Sequence, residues 1–304
     1  MKRILICLIL LTPLLVEAQF SYIRKEQTIG CYNNDVYSDH IIDKNGDIVL
    51  AGYIASYTSS SCSLATTNST VASFDGWIAK VDTNWNIKWS KSFGGSKEDR
   101  LLKIAACSEG YIAIGFSTSS DGDITKPNKG YHDYWVIRVN DNGDKLWSAT
   151  FGSSSPDDPY DVIETSDKGF IIVGSLGMND GDAAGLGIKG SNDAWIMKLN
   201  AAGSIVWQKT YGSSKSDYAK TITQISGKSY ILCGRATAAD GDLTGNNGAA
   251  DMWVFKMTDN GSLVWSKNMG GSGTEVANCV LKNSSGDLMI GAASGSADKD
   301  LKSN

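Results

Sequence analysis

The sequence predicts an all-β chain: a β-propeller of about five four-stranded blades, its ring either incomplete or part of a longer protein. Three observations carry this. Trp77, Trp135, Trp195 and Trp253 recur at intervals of 58, 60 and 58 residues, each two positions after an aspartate. Each precedes a second tryptophan by 12 positions: Trp89, Trp147, Trp207 and Trp265. The segments between them are short, strand-like and punctuated by glycine, with 33 Gly and only four Pro in 304 residues, as in a turn-rich β protein.

The N-terminus comes first. Lys2 and Arg3 precede an apolar run from Ile4 to Val16 and a small-residue ending at Ala18. This pattern is that of a secretory signal peptide, residues 1–18, and it is too short to span a bilayer comfortably. The mature chain then divides into repeats at about 19–74, 75–132, 133–192, 193–250 and 251–304. Five cysteines follow the leader. Cys31 and Cys62 share the irregular first repeat and are expected to pair, whereas Cys107, Cys233 and Cys279 sit in apolar strand patterns and are expected as buried thiols.

Within a repeat, Trp135, Ile137 and Val139 share one face of an alternating strand, as do Trp77/Ala79/Val81, Trp195/Met197/Leu199 and Trp253/Phe255/Met257. Period-two alternation with one apolar face is a strand packed on a neighbouring sheet. Lys80, Arg138, Lys198 and Lys256 hold one position on the opposite face. A turn follows, Asp141-Asn142-Gly143 or Asp259-Asn260-Gly261, and Asn-Gly is a strong hairpin signal because both residues tolerate positive φ. The third copy uses Ala202-Gly203, and the first uses Asn84-Trp85, an odd tryptophan at a turn.

The next strand carries the second tryptophan and ends in Gly94, Gly152, Gly212 or Gly270, with Asp99, Asp157, Asp217 or Glu275 five positions later. A weaker strand follows, such as Leu102 to Ala106. The fourth is an apolar block ending in Gly115, Gly174, Gly234 or Gly291, continuous enough to be covered on both faces. The frame also extends backward, Gly30 and Asp35 matching the second strand's ending and Gly52 the fourth strand's. Asp298 to Asn304 aligns with Asp240 to Asn246, so a further Asp-x-Trp strand is expected next. Either the sequence is a segment of a longer protein or the ring closes one strand short.

This consensus resembles the repeats of secreted bacterial β-propeller proteins, particularly those common in Bacteroidetes, over residues 19–304. The resemblance implies a secreted location, periplasmic, extracellular or cell-surface, and brings no catalytic residues. The hairpin from Asp141 to Trp147 is also similar to the tryptophan-docking motif of quinoprotein propellers. That match is limited to the hairpin and implies no quinone cofactor.

Chemistry is harder to find. The net charge of -5 and the lack of a basic stripe argue against nucleic acid. His40 and His132 occupy non-equivalent positions without a cysteine or carboxylate at ligand spacing, and no nucleophile, phosphate or zinc signature is present. Asp121/Asp123, Asp180/Asp182, Asp240/Asp242 and Asp298/Asp300 sit in short loops that would suit Ca²⁺; local Asx-turns explain them more cheaply. Asp75, Asp133, Asp193 and Asp251 are expected to satisfy turn amides or the neighbouring lysine. Functional residues should be departures from the repeat: the Ser/Thr-rich insert Ser56 to Ser73, and Arg100, Asp157, Asp158, Tyr160 and Arg235. Together these features predict a secreted, non-catalytic propeller binding a protein or glycan at the cell envelope, with no cofactor and no membrane span after cleavage of the leader. The alternatives are an extracellular carbohydrate-active enzyme with unrepeated carboxylates in its funnel, or a structural segment of a larger surface protein.

Overall fold

Apolar residues spaced two apart, in runs too short for a helix and broken by glycine turns, can be buried only by strands. The computed structural model describes residues 35–55 and 73–301. The leader, the proposed Cys31–Cys62 pair and nearly all of the Ser/Thr-rich insert lie outside the described residues. The first sheet contains β1 (Asp35–Ile42), β2 (Ile48–Ala55), β3 (Phe74–Val81) and β4 (Ile87–Phe93). The second contains β5 (Asp99–Ala106), β6 (Tyr111–Ser117), β7 (Asp133–Val139) and β8 (Lys145–Phe151). The third contains β9 (Asp158–Glu164), β10 (Phe170–Leu176), β11 (Asp193–Leu199) and β12 (Ile205–Tyr211). The fourth contains β13 (Tyr218–Ser226), β14 (Ser229–Ala236), β15 (Asp251–Thr258) and β16 (Leu263–Met269). A fifth, two-stranded sheet contains β17 (Glu275–Lys282) and β18 (Leu288–Ser294). Within each sheet, neighbours in sequence pair antiparallel. No helix among the described residues is long and apolar enough to cross a membrane.

The arrangement is that of propeller blades. The first strands form an inner row in which β1 packs on β5, β5 on β9, β9 on β13 and β13 on β17. The Asp-x-Trp strand is third in its sheet and the strand with the second tryptophan is fourth. Each full sheet therefore joins the last two strands of one sequence repeat to the first two of the next.

Every first strand carries a bulge in its pairing with the second, as between Leu101 and Lys103 or Ala219 and Thr221. There the first strand's carbonyl presses on the glycine of the apolar block. A Cβ on Gly115 would lie 1.8 Å from the Arg100 carbonyl oxygen, and one on Gly234 1.9 Å from that of Tyr218. The fifth sheet departs from the sequence alignment by one residue: Ala292, not Gly291, pairs opposite the residue before the bulge, Ala277.

Cores lie between sheets. Ile78, Val49 and Ala51 of the first sheet pack with Leu101, Ile104, Ala113 and Trp135 of the second. Trp195 and Trp253 occupy the matching cores between the second and third and the third and fourth sheets. β6 and β10 are buried at every residue, as their unbroken apolarity predicts, whereas β18 is almost wholly exposed. This exposure also corrects the cysteine expectation. Cys233 is buried, but Cys107 is only partly so and Cys279 is exposed, because nothing among the described residues covers the outer face of β17 at that point.

The second tryptophans join blades in another way. Trp89 donates its indole N–H to the Asp141 carbonyl at 2.9 Å, Trp147 to Ala201 at 3.0 Å and Trp207 to Asp259 at 2.9 Å. Each acceptor belongs to the hairpin turn of the following sheet. The ring lies against that turn's glycine: a Cβ on Gly143, Gly203 or Gly261 would sit 2.7, 2.8 or 2.9 Å from the indole. All three glycines have φ between +75° and +81°, so both backbone strain and the lack of space demand glycine. Replacing Trp147 by Ala should cost about 2–3 kcal/mol in urea unfolding. Trp265→Ala, at a ring that is 41% exposed, should cost less than about 1 kcal/mol.

Candidate binding rim

The repeated carboxylates are used by the backbone. After each second-tryptophan strand, three successive amides donate to three different acids. Gly152 N reaches Asp182 at 3.1 Å, Ser153 N reaches Asp157 at 2.6 Å and Ser154 N reaches Asp180 at 2.7 Å. The set recurs at Gly94 to Ser96 with Asp123, Asp99 and Asp121. It recurs again at Gly212 to Ser214 with Asp242, Asp217 and Asp240. The last copy, Gly270 to Ser272, uses Asp300, Glu275 and Asp298. The Asp-Gly-Asp loops are thus clasps on amides 25 to 30 residues away, which replaces the expected local Asx-turns. Among the described residues no cluster of His, Cys, Asp and Glu is arranged to hold a metal ion.

The aspartates before the first tryptophans also take turn amides, Asp133 from Lys129 at 2.9 Å and Asp251 from Asn247 at 2.6 Å. Lysines of the Asp-x-Trp strands point to the other end of the blades. There Lys80 pairs with Asp43 at 2.7 Å and hydrogen-bonds Tyr111 at 3.1 Å, and Lys198 pairs with Asp167 at 2.7 Å. A cleft of about 230 Å³ opens at this end beside Asp167, Lys198, Trp207 and Tyr230. A smaller one recurs beside Asp43, Tyr111 and Asp141, so the feature is part of the repeat.

The clasped acid fixes the start of each first strand, and the residue after it varies. Arg100, Asp158 and Tyr218 hold this position in the second, third and fourth sheets, with Phe116, Ser175 and Arg235 as their cross-strand partners. The Asp157 amide donates to the His132 carbonyl at 2.8 Å, which places His132 beside Asp158.

These residues form one continuous rim. The Arg100 guanidinium lies 4.5 Å from the ring centre of Tyr53, 4.8 Å from that of Phe74 and 5.5 Å from that of Phe116, and pairs with Glu98. Phe116 stacks on His132 at 4.1 Å. His132 Nδ1 is 3.8 Å from Asp158 Oδ1. Tyr160 meets Tyr218 at 5.5 Å, and Tyr218 stands opposite Arg235. Burial raises the Tyr160 hydroxyl above its ordinary value, against a hydrogen bond with Ser175, with Asp158 adding to the rise. The Nε atoms of Arg100 and Arg235 are buried and have no hydrogen-bond partner among the described residues.

The structure therefore brings together four of the residues singled out by sequence, Arg100, Asp158, Tyr160 and Arg235. Asp157 is not among them: it is a clasp residue, fully buried. Tyr53, Phe74, Phe116 and Tyr218 were missed, and His132 has the carboxylate neighbour that its sequence spacing concealed. Their shared signal was available, since each departs from the repeat near the same end of a blade.

Along the inner row, Asp39, Lys103, Asp161 and Thr221 hold the position just past the bulge. Asp39 Oδ2 lies 3.2 Å from Lys103 and accepts the Ile104 amide at 3.1 Å. Asp161 Oδ2 accepts the Ile222 amide at 3.0 Å and the Thr221 hydroxyl at 3.1 Å. These two carboxylates hold the same position in the first and third sheets, and each ties its blade to the next.

No protein-family model and no curated protein sequence matches this chain. Among solved structures it is similar to the Pan2 WD40 domain of Neurospora crassa, with 13% identity and a TM-score of 0.36 over 81% of this chain and 68% of that one. It is also similar to a eukaryotic initiation factor, with 6% identity and a TM-score of 0.30 over 79% of this chain and 55% of that one. The propeller description rests on the sheets themselves.

The buried acids set a pH dependence. Burial pushes Asp99, Asp133 and Asp193 upward, and Asp157 up to about 6 against its Gly177 and Ser153 donors. Such groups favour folding when protonated. Their contribution is complete below the unfolded value near 3.8 and is lost as pH rises through the folded value. Asp43 and Asp167 are opposite cases: burial raises them, but the Lys80 and Lys198 hydrogen bonds prevail and hold both at about 2. Their contribution is present above the unfolded value and fades as pH falls toward 2. Stability measured by urea unfolding should therefore rise between pH 7 and pH 5, by on the order of 1 kcal/mol from Asp157 alone, and fall again below pH 4. Asp157→Asn should flatten the first limb and leave the second.

Proposed function

We propose that this chain is a secreted, non-catalytic propeller of the cell envelope that binds a glycan along the rim from Arg100 to Arg235. The observation that carries the reading is the rim itself: rings and charged or hydroxyl-bearing groups in a continuous row across four sheets, in a combination that changes from blade to blade. Repeated residues hold a fold together, whereas an unrepeated set at one end of it distinguishes ligands. Sugars present C–H faces beside hydroxyls, and the rim pairs aromatic carbon with hydrogen-bonding side chains. The leader supports secretion. The resemblance to secreted bacterial repeat proteins supports an envelope setting.

An extracellular carbohydrate-active enzyme is the second reading, and Asp39 and Asp161 are the carboxylates that would favour it. Both spend an oxygen on a backbone amide of the following blade, which supports a stapling role instead. Screening the full chain on a glycan array should give binding to a defined sugar class, and Arg235→Ala should weaken it at least about tenfold with an unchanged melting temperature. Binding only to protein partners, or binding indifferent to Arg235, would turn the reading away from glycans. Release of reducing sugar that is abolished by Asp161→Asn would favour the enzyme.

A further inference from the structure

Two features where the fourth sheet meets the fifth are open while their counterparts are closed. The first is the outer edge of β18. β6, β10 and β14 each pair on that edge with the Asp-x-Trp strand that follows, as β14 does with β15 from Ser229 opposite Thr258 to Ala236 opposite Asp251. Among the described residues β18 pairs with β17 only, and Met289 on it is 62% exposed. The second is Trp265. Trp89, Trp147 and Trp207 each dock on a glycine turn of the next sheet. Trp265 has no such acceptor among the described residues and is 41% exposed.

One object closes both. In the second, third and fourth sheets, the strand added to the apolar block and the turn that receives the indole belong to the same hairpin: β7–β8 receives Trp89, β11–β12 Trp147 and β15–β16 Trp207. We propose that β18 and Trp265 form a docking site for a polypeptide β-hairpin of this repeat's own chemistry. Its first strand has the pattern Asp-x-Trp, apolar, apolar, basic, apolar, and its turn places glycine under the indole. This proposal is independent of the rim and its ligand.

A second copy of the chain does not supply that hairpin. Its three glycine turns already hold Trp89, Trp147 and Trp207. Its remaining blade turn carries Trp85 at the glycine position, with φ of 66°. A side chain there occupies the space that an incoming ring needs, given the 2.7–2.9 Å approach measured at the glycine turns. The edge itself favours strand addition, because an unpaired row of N–H and C=O groups is a template for a further strand.

The probe is a synthetic peptide of residues 193–212, the hairpin that contains Trp195 and Gly203, added to the full chain. It should bind one to one and slow amide exchange across residues 288–294. With fluorotryptophan in the protein alone, the resonance that is missing from Trp265→Phe should shift on peptide binding. A peptide carrying Gly203→Trp, which imitates the first turn, should bind at least about tenfold more weakly; this arm leaves the protein unaltered and so does not depend on any variant folding. The proposal is overturned if residues 288–294 show no protection at millimolar peptide, or if the two peptides bind alike. It is also overturned if those amides are already protected in the free chain and lose protection on removal of residues 19–34, or if sedimentation shows a dimer that protects them.

Discussion

The capture of three consecutive backbone amides by three carboxylates, one of them buried, is the constraint on which the blades depend. An ionised carboxylate inside a protein is costly unless donors surround it, and an amide without an acceptor is costly too. At each blade junction the chain resolves both. The glycine that ends one blade and the two residues after it offer their N–H groups to three acids drawn from separate segments. One acid opens the next blade, and two come from the loop that leads to its third strand. The junction is therefore defined by polar geometry as much as by indoles. This explains why acids recur at fixed spacing in every blade.

The clasp also explains where individuality is allowed. Positions bound into it are nearly invariant between blades, because each must present an oxygen to a particular amide. The position immediately after the clasped acid has no such duty, and it changes from Arg100 to Asp158 to Tyr218. Its cross-strand partner changes with it, from Phe116 to Ser175 to Arg235. A rigid repeated frame thus holds an unrepeated row, which is how a symmetric scaffold acquires one distinctive face.

Sequence carried the architecture because its signals are local and periodic. The alternation of Trp135, Ile137 and Val139, the turn at Gly143 and the unbroken apolarity of Ile112 to Ile114 each report a nearby physical demand, and repetition confirms the frame. The one-residue offset at Ala292 escaped because glycine marks this pairing position in the other four sheets, and the alignment therefore followed Gly291. The rim was only partly legible. Arg100, Asp158, Tyr160 and Arg235 stood out as departures, but their assembly depends on register across blades 58 or 60 residues apart. His132 could not be matched to Asp158 by spacing, since the contact crosses a blade junction. Cys279 read as a core residue because its neighbours are apolar; its exposure follows from the blade in which it lies, which no local pattern encodes.

The docked indoles give the assembly a direction. Each blade extends a ring forward and offers a turn backward, so neighbouring blades meet by unlike surfaces and never by like ones. Trp85 removes the backward-facing socket from the first blade. The stack is consequently polar, with a ring to give at its front and no socket to receive one at its trailing end. Such a chain cannot concatenate with copies of itself by the contact that joins its own blades, and this is a safeguard against endless polymerisation that simple repetition would otherwise invite.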